Sequence, residues 1–204
     1  MLDIFSVKPS MNPPAPQALP AHPPVPTVSA WVVRFSAAIK PAGVVLDLAC
    51  GGGRHARYLA GLGLQVEAVD RDAAALVALA DVAGVHTHCA DLEGSAWPYP
   101  TQLFDAIIVT NYLHRPLFPL LASALVSGGV LIYETFRLGN GSYGRPSNPE
   151  FLLQAGELFE FASRRGLHVL AYEDGFCALP KPAMVQRLCA VKPPFLTPEI
   201  GRLE

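Results

Sequence analysis

The chain has 204 residues, of which 51% are hydrophobic and 16% are charged, and its formal net charge is −2 at pH 7. This composition excludes a disordered chain and predicts a single domain with a sizeable core. The nearly balanced charge, without a basic stripe, makes a nucleic-acid partner unlikely on physical grounds. The sequence shows no signal-peptide pattern, no apolar run near the roughly 18 residues of a membrane span and no C-x-x-C pair. We therefore predict a cytoplasmic protein without a membrane partner.

The first segment of the chain is rich in proline. Residues 9–26 hold eight prolines, which lack a backbone N–H and fix φ, so this segment is neither a helix nor a central strand. It is typical of an extended polyproline-like arm. We assign the arm to residues 1–29, a folded domain to 30–193 and a C-terminal tail to 194–204.

Helices and strands alternate from residue 30 onwards. Trp31, Phe35 and Ile39 recur every four residues and predict a short amphipathic helix that Pro41 ends. The predicted strands that follow are 44–48, 65–70, 85–90, 105–110 and 129–136, with helices at 54–62, 72–80 and 117–126. A polar loop over 137–150 precedes a helix around 155–165 and two further strands, 167–172 and 185–191.

The predicted strands "GVVLDL", "DAIIVT" and "GVLIYE" are nearly continuous runs of Val, Ile and Leu. Such strands are buried on both faces, as in a parallel sheet covered by helices on each side. Together with the repeated strand–helix alternation, they predict a doubly wound α/β fold.

Polar or small residues close successive strands of this sheet. Asp47 and the glycines end the first strand, Asp70 the second and Asp91 the third, while Thr110 and Asn111 end the fourth. Ligands of doubly wound sheets bind at the carboxyl ends of the strands. The sequence therefore predicts a ligand site assembled from these strand ends.

The stretch "VVLDLACGGGRHARYLA" (residues 44–60) is compatible with two ligands. Gly51, Gly53 and Ala56 fit the dinucleotide pattern G-x-G-x-x-G/A, and they also fit the loop that binds S-adenosylmethionine (SAM). An acid such as Asp70 can accept hydrogen bonds from a ribose in either case. Asp47 favours SAM, because it would repel a pyrophosphate but attract an ammonium group.

The quoted stretch, with "VEAVDRD", "ADLEG", "FDAIIVTNYLHRPLFPLL" and "LVSGGVLIYETF", resembles the successive motifs of class I SAM-dependent methyltransferases. The variant "DLACGGGRH" and the segment "GRPSNPEFLL…GELF" are similar to small methyltransferases of the tellurite-resistance type. The resemblance implies a Rossmann-like, mostly parallel sheet of seven strands that ends in an antiparallel hairpin. It implies SAM as the methyl donor and S-adenosylhomocysteine (SAH) as the product. The SAM-contacting residues that it implies are Asp47, Ala49, Gly51, Gly53, Asp70, Arg71, Asp91, Leu92, Thr110 and Asn111.

Four residues beyond the cofactor motifs are candidates for the catalytic half of the site. His114 is a candidate general base, and Arg115 at a helix start is a candidate anion-binding group, because a cation there opposes the helix dipole. Glu134 ends an apolar strand, where it either points into the cleft or pairs with an arginine. Arg145 lies in the long loop, where specificity elements often occur.

No metal site is predicted from "HTHC" at residues 86–89, because His86 and His88 share one face of a strand and Cys89 points the other way. The segment Asn111-Tyr112-Leu113-His114 lacks the [DN]-P-P-[YF] motif of methyltransferases that act on planar amino groups.

The sequence therefore predicts a SAM-dependent methyltransferase that transfers a methyl group to a small molecule by in-line displacement. The acceptor is a soft anion or a thiol in this prediction, and a soft anion such as tellurite, selenite or a thiolate would need no general base. Three alternatives stay open: a non-catalytic SAM-binding module, an RNA methyltransferase with a partner that supplies a basic surface, and an NAD-dependent oxidoreductase. The sequence predicts no particular oligomeric state.

Overall fold

The computed structural model describes residues 27–194. The predicted C-terminal tail, apart from residue 194, and the predicted arm, apart from residues 27–29, lie outside this range. The strands are β1 (Val44–Leu48), β2 (Gln65–Asp70), β3 (Val85–Cys89), β4 (Phe104–Thr110), β5 (Leu125–Phe136), β6 (His168–Cys177) and β7 (Ala183–Val191). The α-helices are α1 (Ala30–Phe35), α2 (Arg54–Gly61), α3 (Ala73–Val77), α4 (Phe118–Ala124) and α5 (Glu157–Arg164).

All seven strands form one sheet in the order β3-β2-β1-β4-β5-β7-β6. The first five strands are parallel, and β7 runs antiparallel to both β5 and β6. The strand order reverses between β1 and β4, so the carboxyl ends of these strands frame a crevice. The predicted doubly wound, mostly parallel sheet with a final antiparallel hairpin is confirmed.

Several predicted boundaries differ from those of the structure, and two of the differences come from strand pairing. Strand β5 begins at Leu125, inside the region predicted as helix, because Leu125 pairs with Phe104 across an irregular register that resumes at Val130. Strand β6 extends to Cys177, because its polar second half pairs with β7 as the edge of the sheet. The local sequence shows neither pairing.

The core consists of two apolar layers, one on each face of the sheet. Helices α1, α2 and α3 cover one face and α4 and α5 cover the other. Alternate residues of the central strands serve the two layers: Val45 and Ile108 face the first, whereas Leu46 and Ile107 face the second. This alternation also decides on which face each strand-end side chain lies.

Helix α1 is fixed to the sheet by hydrogen bonds at its start. The Ser29 hydroxyl accepts a bond from the Trp31 backbone N–H at 3.1 Å, which caps the helix. The buried Trp31 Nε1 donates to the Leu188 carbonyl of β7 at 3.1 Å. Helix α1 is shorter than the predicted helix, since Ser36–Ala38 forms a 3-10 turn after Phe35.

Between residues 27 and 194, none of the helices has both the length and the apolar character needed to cross a bilayer.

Candidate cofactor and acceptor site

A cleft of about 530 Å³ opens at the carboxyl ends of strands β1 to β5. One side, which we call the acidic wall, follows the first three strands and consists of Ala49, Asp70, Arg71, Ala90, Asp91, Leu92 and Glu93. The other side, which we call the uncharged wall, consists of Asn111, Tyr112, Leu113, Thr135, Phe136, Pro146 and Phe151. The two walls differ in charge and in origin.

The glycine loop between β1 and α2 is shaped by left-handed backbone conformations. Gly51 has a φ of 53° and Gly53 a φ of 71°, a region that favours glycine. A Cβ at Gly53 would lie 2.4 Å from the Leu79 side chain, so glycine permits close packing at the start of α2. A Cβ at Gly51 would meet no atom within 4 Å. The loop is therefore tight on its inner side and open on the other.

Asp70, the last residue of β2, links the glycine loop to the next turn. Its Oδ2 accepts a hydrogen bond from the Gly51 N–H at 2.7 Å, and its Oδ1 accepts one from the Asp72 N–H at 2.9 Å. A carboxylate offers about four lone-pair positions, so each oxygen keeps a further acceptor position. Because Asp70 lines the cleft, this carboxylate can accept hydrogen bonds from a pair of ligand hydroxyl groups.

Asp91 follows β3 and faces the same cleft. Its Oδ1 accepts a hydrogen bond from the Glu93 N–H at 3.0 Å. Backbone N–H groups of Glu93 and Gly94, with a smaller contribution from the Arg71 guanidinium, lower the pKa of Asp91. Asp91 is thus an ionised hydrogen-bond acceptor at neutral pH.

Asp47 is buried behind the glycine loop, with 1% of the residue exposed, and does not line the cleft. Its carboxylate accepts a hydrogen bond from the Ala56 N–H, while Oδ2 makes no hydrogen bond within the described part of the chain. Burial raises the pKa of Asp47 to about 7, against the opposing effects of this bond and of the Arg54 charge. An orphaned buried carboxylate oxygen at this place is suited to a cationic or hydrogen-bond-donating partner.

Thr110 is turned away from the cleft by a buried histidine. The Thr110 hydroxyl lies 3.2 Å from His55 Nδ1, and His55 Nε2 accepts a hydrogen bond from the Ser29 N–H at 3.2 Å. Burial, with the Arg54 charge, lowers the pKa of His55 to about 4, so the imidazole is neutral. His55 therefore connects α2, the start of α1 and the end of β4, a structural role that the sequence did not indicate.

The uncharged wall begins at the turn after β4. Asn111 has a φ of 55°, and its N–H donates to the Glu134 carbonyl at 2.9 Å. Tyr112 is half-buried, and burial together with the Glu93 and Asp91 carboxylates raises the pKa of its phenol. Thr135, 2% exposed, is the polar group that β5 contributes.

The rest of the uncharged wall comes from a segment that we call the strap, residues 137–153. Its ends are joined, because the Leu138 N–H donates to the Leu153 carbonyl at 2.9 Å and the Leu153 N–H to the Phe136 carbonyl at 3.0 Å. Asn140 fixes the middle: its Nδ2 donates to the Pro146 carbonyl at 3.0 Å and its Oδ1 accepts from the Met184 N–H at 3.1 Å. The predicted loop is thus a braced segment.

Arg115 holds the strap from outside the cleft. Its guanidinium forms a two-pronged ion pair with Glu157, at 2.6 and 2.9 Å. It also donates to the carbonyls of Glu150 at 3.0 Å and Leu152 at 2.9 Å, on either side of Phe151. These four bonds leave Arg115 engaged with the strap and with Glu157 of α5 instead of free to bind an anion in the cleft.

The other three candidate catalytic residues also lie outside the cleft lining. Glu134 pairs with Arg187, which also binds Glu173 at 2.9 Å, so the arginine-pairing alternative is the one that the structure has. His114 is half-buried, and Arg145 is exposed with no hydrogen bond or ion pair to any residue from 27 to 194.

Six of the ten predicted SAM-contacting residues line the cleft: Ala49, Asp70, Arg71, Asp91, Leu92 and Asn111. Asp47, Gly51, Gly53 and Thr110 lie outside the lining. The sequence missed most of the uncharged wall. Thr135 and Phe136 could have been found from their position at the end of β5, whereas Pro146 and Phe151 reach the cleft only through the fold of the strap.

The histidines of β3 contact a single carboxylate. His86 Nδ1 lies 2.6 Å from Glu67 Oε2, and His88 Nδ1 lies 3.6 Å from Glu67 Oε1. Within residues 27–194, no group of three His, Cys, Asp or Glu side chains is arranged to hold a metal ion.

The sheet order, the glycine loop and the acidic strand ends define the fold of the SAM-dependent methyltransferases. Residues 45–129 match a family model described as a methyltransferase domain, which confirms the resemblance drawn from the motifs. No curated protein sequence matches the chain significantly.

Among similar solved structures is TehB from Haemophilus influenzae, with a TM-score of 0.68 and 20% identity over 81% of this chain and 63% of TehB. The chain thus spans less than two thirds of that protein. A TehB-like SAM-dependent methyltransferase from Corynebacterium glutamicum has a TM-score of 0.58 and 22% identity, over 80% of this chain and 87% of that protein. The [4+2]-cyclase SpnF has a TM-score of 0.60 and 17% identity, over 76% of each chain. At these identities the similarity establishes the fold, and SpnF shows that another activity uses it.

Proposed function

We propose that this protein is a methyltransferase that transfers the methyl group of SAM to a small-molecule acceptor by in-line displacement. The observation that carries the proposal is the meeting of the glycine loop, Asp70 and Asp91 at one end of a cleft whose other end is uncharged. Both ends border a single cleft of about 530 Å³, which supports a nucleoside-binding end next to an acceptor end.

The residues present fit SAM. Asp70 offers paired acceptor positions for a ribose diol, and Asp91 offers an acceptor for an adenine amino group. The open side of Gly51 allows a ligand to approach the backbone. Asp47 leaves a buried oxygen unpaired, and from behind the loop it supports a ligand with an ammonium group by charge, directly or through water.

The same features disfavour NAD. Asp70, Asp91 and Glu93 line the cleft together with a single cation, Arg71, and the orphaned oxygen of Asp47 lies behind the loop. A pyrophosphate would add two negative charges to this acidic surrounding, which like-charge repulsion opposes. The sulfonium and ammonium groups of SAM are attracted to it.

When bound, SAM supplies a methyl group that its sulfonium has already activated, so alignment of the acceptor supplies much of the catalysis. The uncharged wall aligns the acceptor, since Phe136, Pro146 and Phe151 are fixed by β5 and the braced strap. None of its side chains is a general base at neutral pH, since the only ionisable one is the Tyr112 phenol. The wall is therefore suited to an acceptor that needs none, such as a thiolate or a neutral ring nitrogen.

Isothermal titration of the full chain with SAH tests the cofactor assignment. We expect one SAH per chain with a micromolar dissociation constant, and no heat up to millimolar SAH would refute the assignment. NADH fluorescence enhancement on mixing would favour the oxidoreductase instead.

A turnover assay separates an enzyme from a non-catalytic SAM-binding module. Release of SAH that depends on an added acceptor supports transfer. SAM binding without turnover across thiols, amines, oxyanions and tRNA would support the binding module, and turnover on tRNA alone would support the RNA alternative.

A further inference from the structure

We infer that the acceptor is an uncharged compound with a flat apolar body, which binds against the uncharged wall, and is not an oxyanion. The inference rests on the proposed function and narrows it to a substrate class. Two features support it: the side chains that line the acceptor end, and the ion pairs of the arginines around that end.

The charge of the cleft opposes an anionic acceptor. Its lining carries three carboxylates, Asp70, Asp91 and Glu93, and a single guanidinium, Arg71, which lies on the acidic wall. No lysine, arginine or histidine lines the uncharged wall. An oxyanion placed there would lack a cationic partner and would face like charges across the cleft.

Three of the arginines close to the acceptor end are already paired, whereas Arg145, which precedes Pro146, is exposed and lies outside the cleft lining. Arg115 binds Glu157, Arg187 binds Glu134 and Glu173, and Arg137 lies 3.0 Å from Asp174. Each pair also holds an element of the strap or of the final hairpin in place. Moving one of these cations into the cleft would leave a partly buried carboxylate unpaired, which is unfavourable.

The shape and polarity of the uncharged wall favour an apolar ligand. Phe136, Pro146 and Phe151 present ring surfaces to the cleft, and Leu113 adds an aliphatic one. Phe151 is 51% exposed, a large apolar ring left open at the mouth of a cleft. Covering it with an apolar ligand removes that surface from water and favours binding.

The chemistry balances without a base from the protein. The lone pair of the attacking atom forms a bond to the methyl carbon of SAM. At the same time the bond between that carbon and the sulfonium sulfur breaks, and the electron pair of the broken bond stays on sulfur to give SAH. For a thiol acceptor, the proton passes to water and the product is a thioether. For a neutral ring nitrogen, the positive charge moves to the product.

The test compares two thiols that share an attacking atom and differ in their bodies. The full chain, saturated with SAH, is titrated with benzyl mercaptan, which is uncharged and aromatic, with mercaptoacetate, which is small and anionic, and with selenite. We expect benzyl mercaptan to bind at least about tenfold more tightly than either anion, and to be methylated when SAM replaces SAH.

Tighter binding of mercaptoacetate or selenite overturns the inference, and so does the absence of benzyl mercaptan binding to an SAH complex that has formed. If SAH itself does not bind, the proposed function fails instead.

A matched pair of variants tests the contact with the wall. Phe151→Ala should weaken benzyl mercaptan binding about fivefold to tenfold, with the SAH dissociation constant unchanged. Phe159 on α5 is the control, because it is similarly exposed, at 48%, and lies outside the cleft lining against Tyr172. Phe159→Ala should change neither constant. Equal effects of the two substitutions would contradict the assignment of Phe151.

Discussion

The two walls of the cleft differ in how the fold produces them. The acidic wall consists of residues that end or closely follow β1, β2 and β3, so each is placed by its strand. The uncharged wall begins with residues that follow β4 or end β5, but Pro146 and Phe151 belong to the strap, which Arg115 and the β7 backbone hold from distant parts of the chain. The cofactor end is therefore placed by the sheet alone, whereas the acceptor end also needs the tertiary contacts of the strap.

This difference has a consequence for how the two ends respond to mutation. Substitutions at strand ends should change SAM or SAH affinity, whereas substitutions that loosen the strap should change acceptor recognition. Four variants test this separation.

Asp70→Ala should have the largest effect. It removes the acceptor for the Gly51 and Asp72 N–H groups and for the ribose hydroxyls, so SAH affinity should fall about 100-fold by isothermal titration. Asp72→Ala is the control, because Asp72 caps α3 two residues away. It should cost about 1 kcal/mol of stability and leave SAH affinity unchanged. Comparable losses of affinity in both variants would refute the role of Asp70.

Asp47→Asn should change the pH dependence of stability in the absence of SAH. The folded-state pKa of about 7 lies above the unfolded value of 3.8, so the contribution of Asp47 is greatest below pH 3.8 and is lost as pH rises through 7. Between pH 5 and pH 8 the free energy of unfolding of the wild type should fall by about 2–3 kcal/mol more than that of the variant. Denaturant unfolding at both pH values measures this difference. An equal difference between variant and wild type at pH 5 and pH 8 would show that Asp47 does not titrate in this range.

Arg115→Ala should affect the acceptor end. Loss of the Glu157 pair and of the bonds to the Glu150 and Leu152 carbonyls releases the strap around Phe151, so the KM for the acceptor should rise about tenfold. The SAH dissociation constant should stay the same. Arg164→Ala is the control, because its pair with Glu160 is largely exposed and worth little. A fall in SAH affinity with no change in KM would contradict the positioning role.

Arg145→Ala should have the smallest effect. Arg145 is exposed and outside the cleft lining, so kcat/KM for an uncharged acceptor should change by less than about twofold. Steady-state kinetics with benzyl mercaptan measures this ratio. A tenfold loss would place Arg145 in the acceptor site after all.

Much of the cofactor end could be predicted from the sequence, because strand ends are marked locally. The apolar runs of β1 and β4 indicate the sheet, and acids at or just after the predicted ends of β2 and β3, Asp70 and Asp91, indicate the edge at which a ligand binds. The sequence did not show that Asp47 is buried behind the loop and outside the cleft lining. Its position depends on how β1 packs against α2.

The part of the acceptor end that the strap forms could not be predicted in the same way. Arg115 looks like a free cation in the sequence, but its partner Glu157 is 42 residues away. Glu134 of β5 likewise forms an ion pair with Arg187, which lies opposite it on the neighbouring strand β7. Such pairings follow from the packing of the strap and the final hairpin, which no local pattern encodes.

A crystal structure of the full chain with SAH tests the central claim most directly. We expect ribose hydroxyls within hydrogen-bonding distance of the Asp70 carboxylate and a sulfur atom that faces the uncharged wall near Phe136 and Phe151. An adenosyl group bound elsewhere, or a sulfur atom that faces away from this wall, would contradict it.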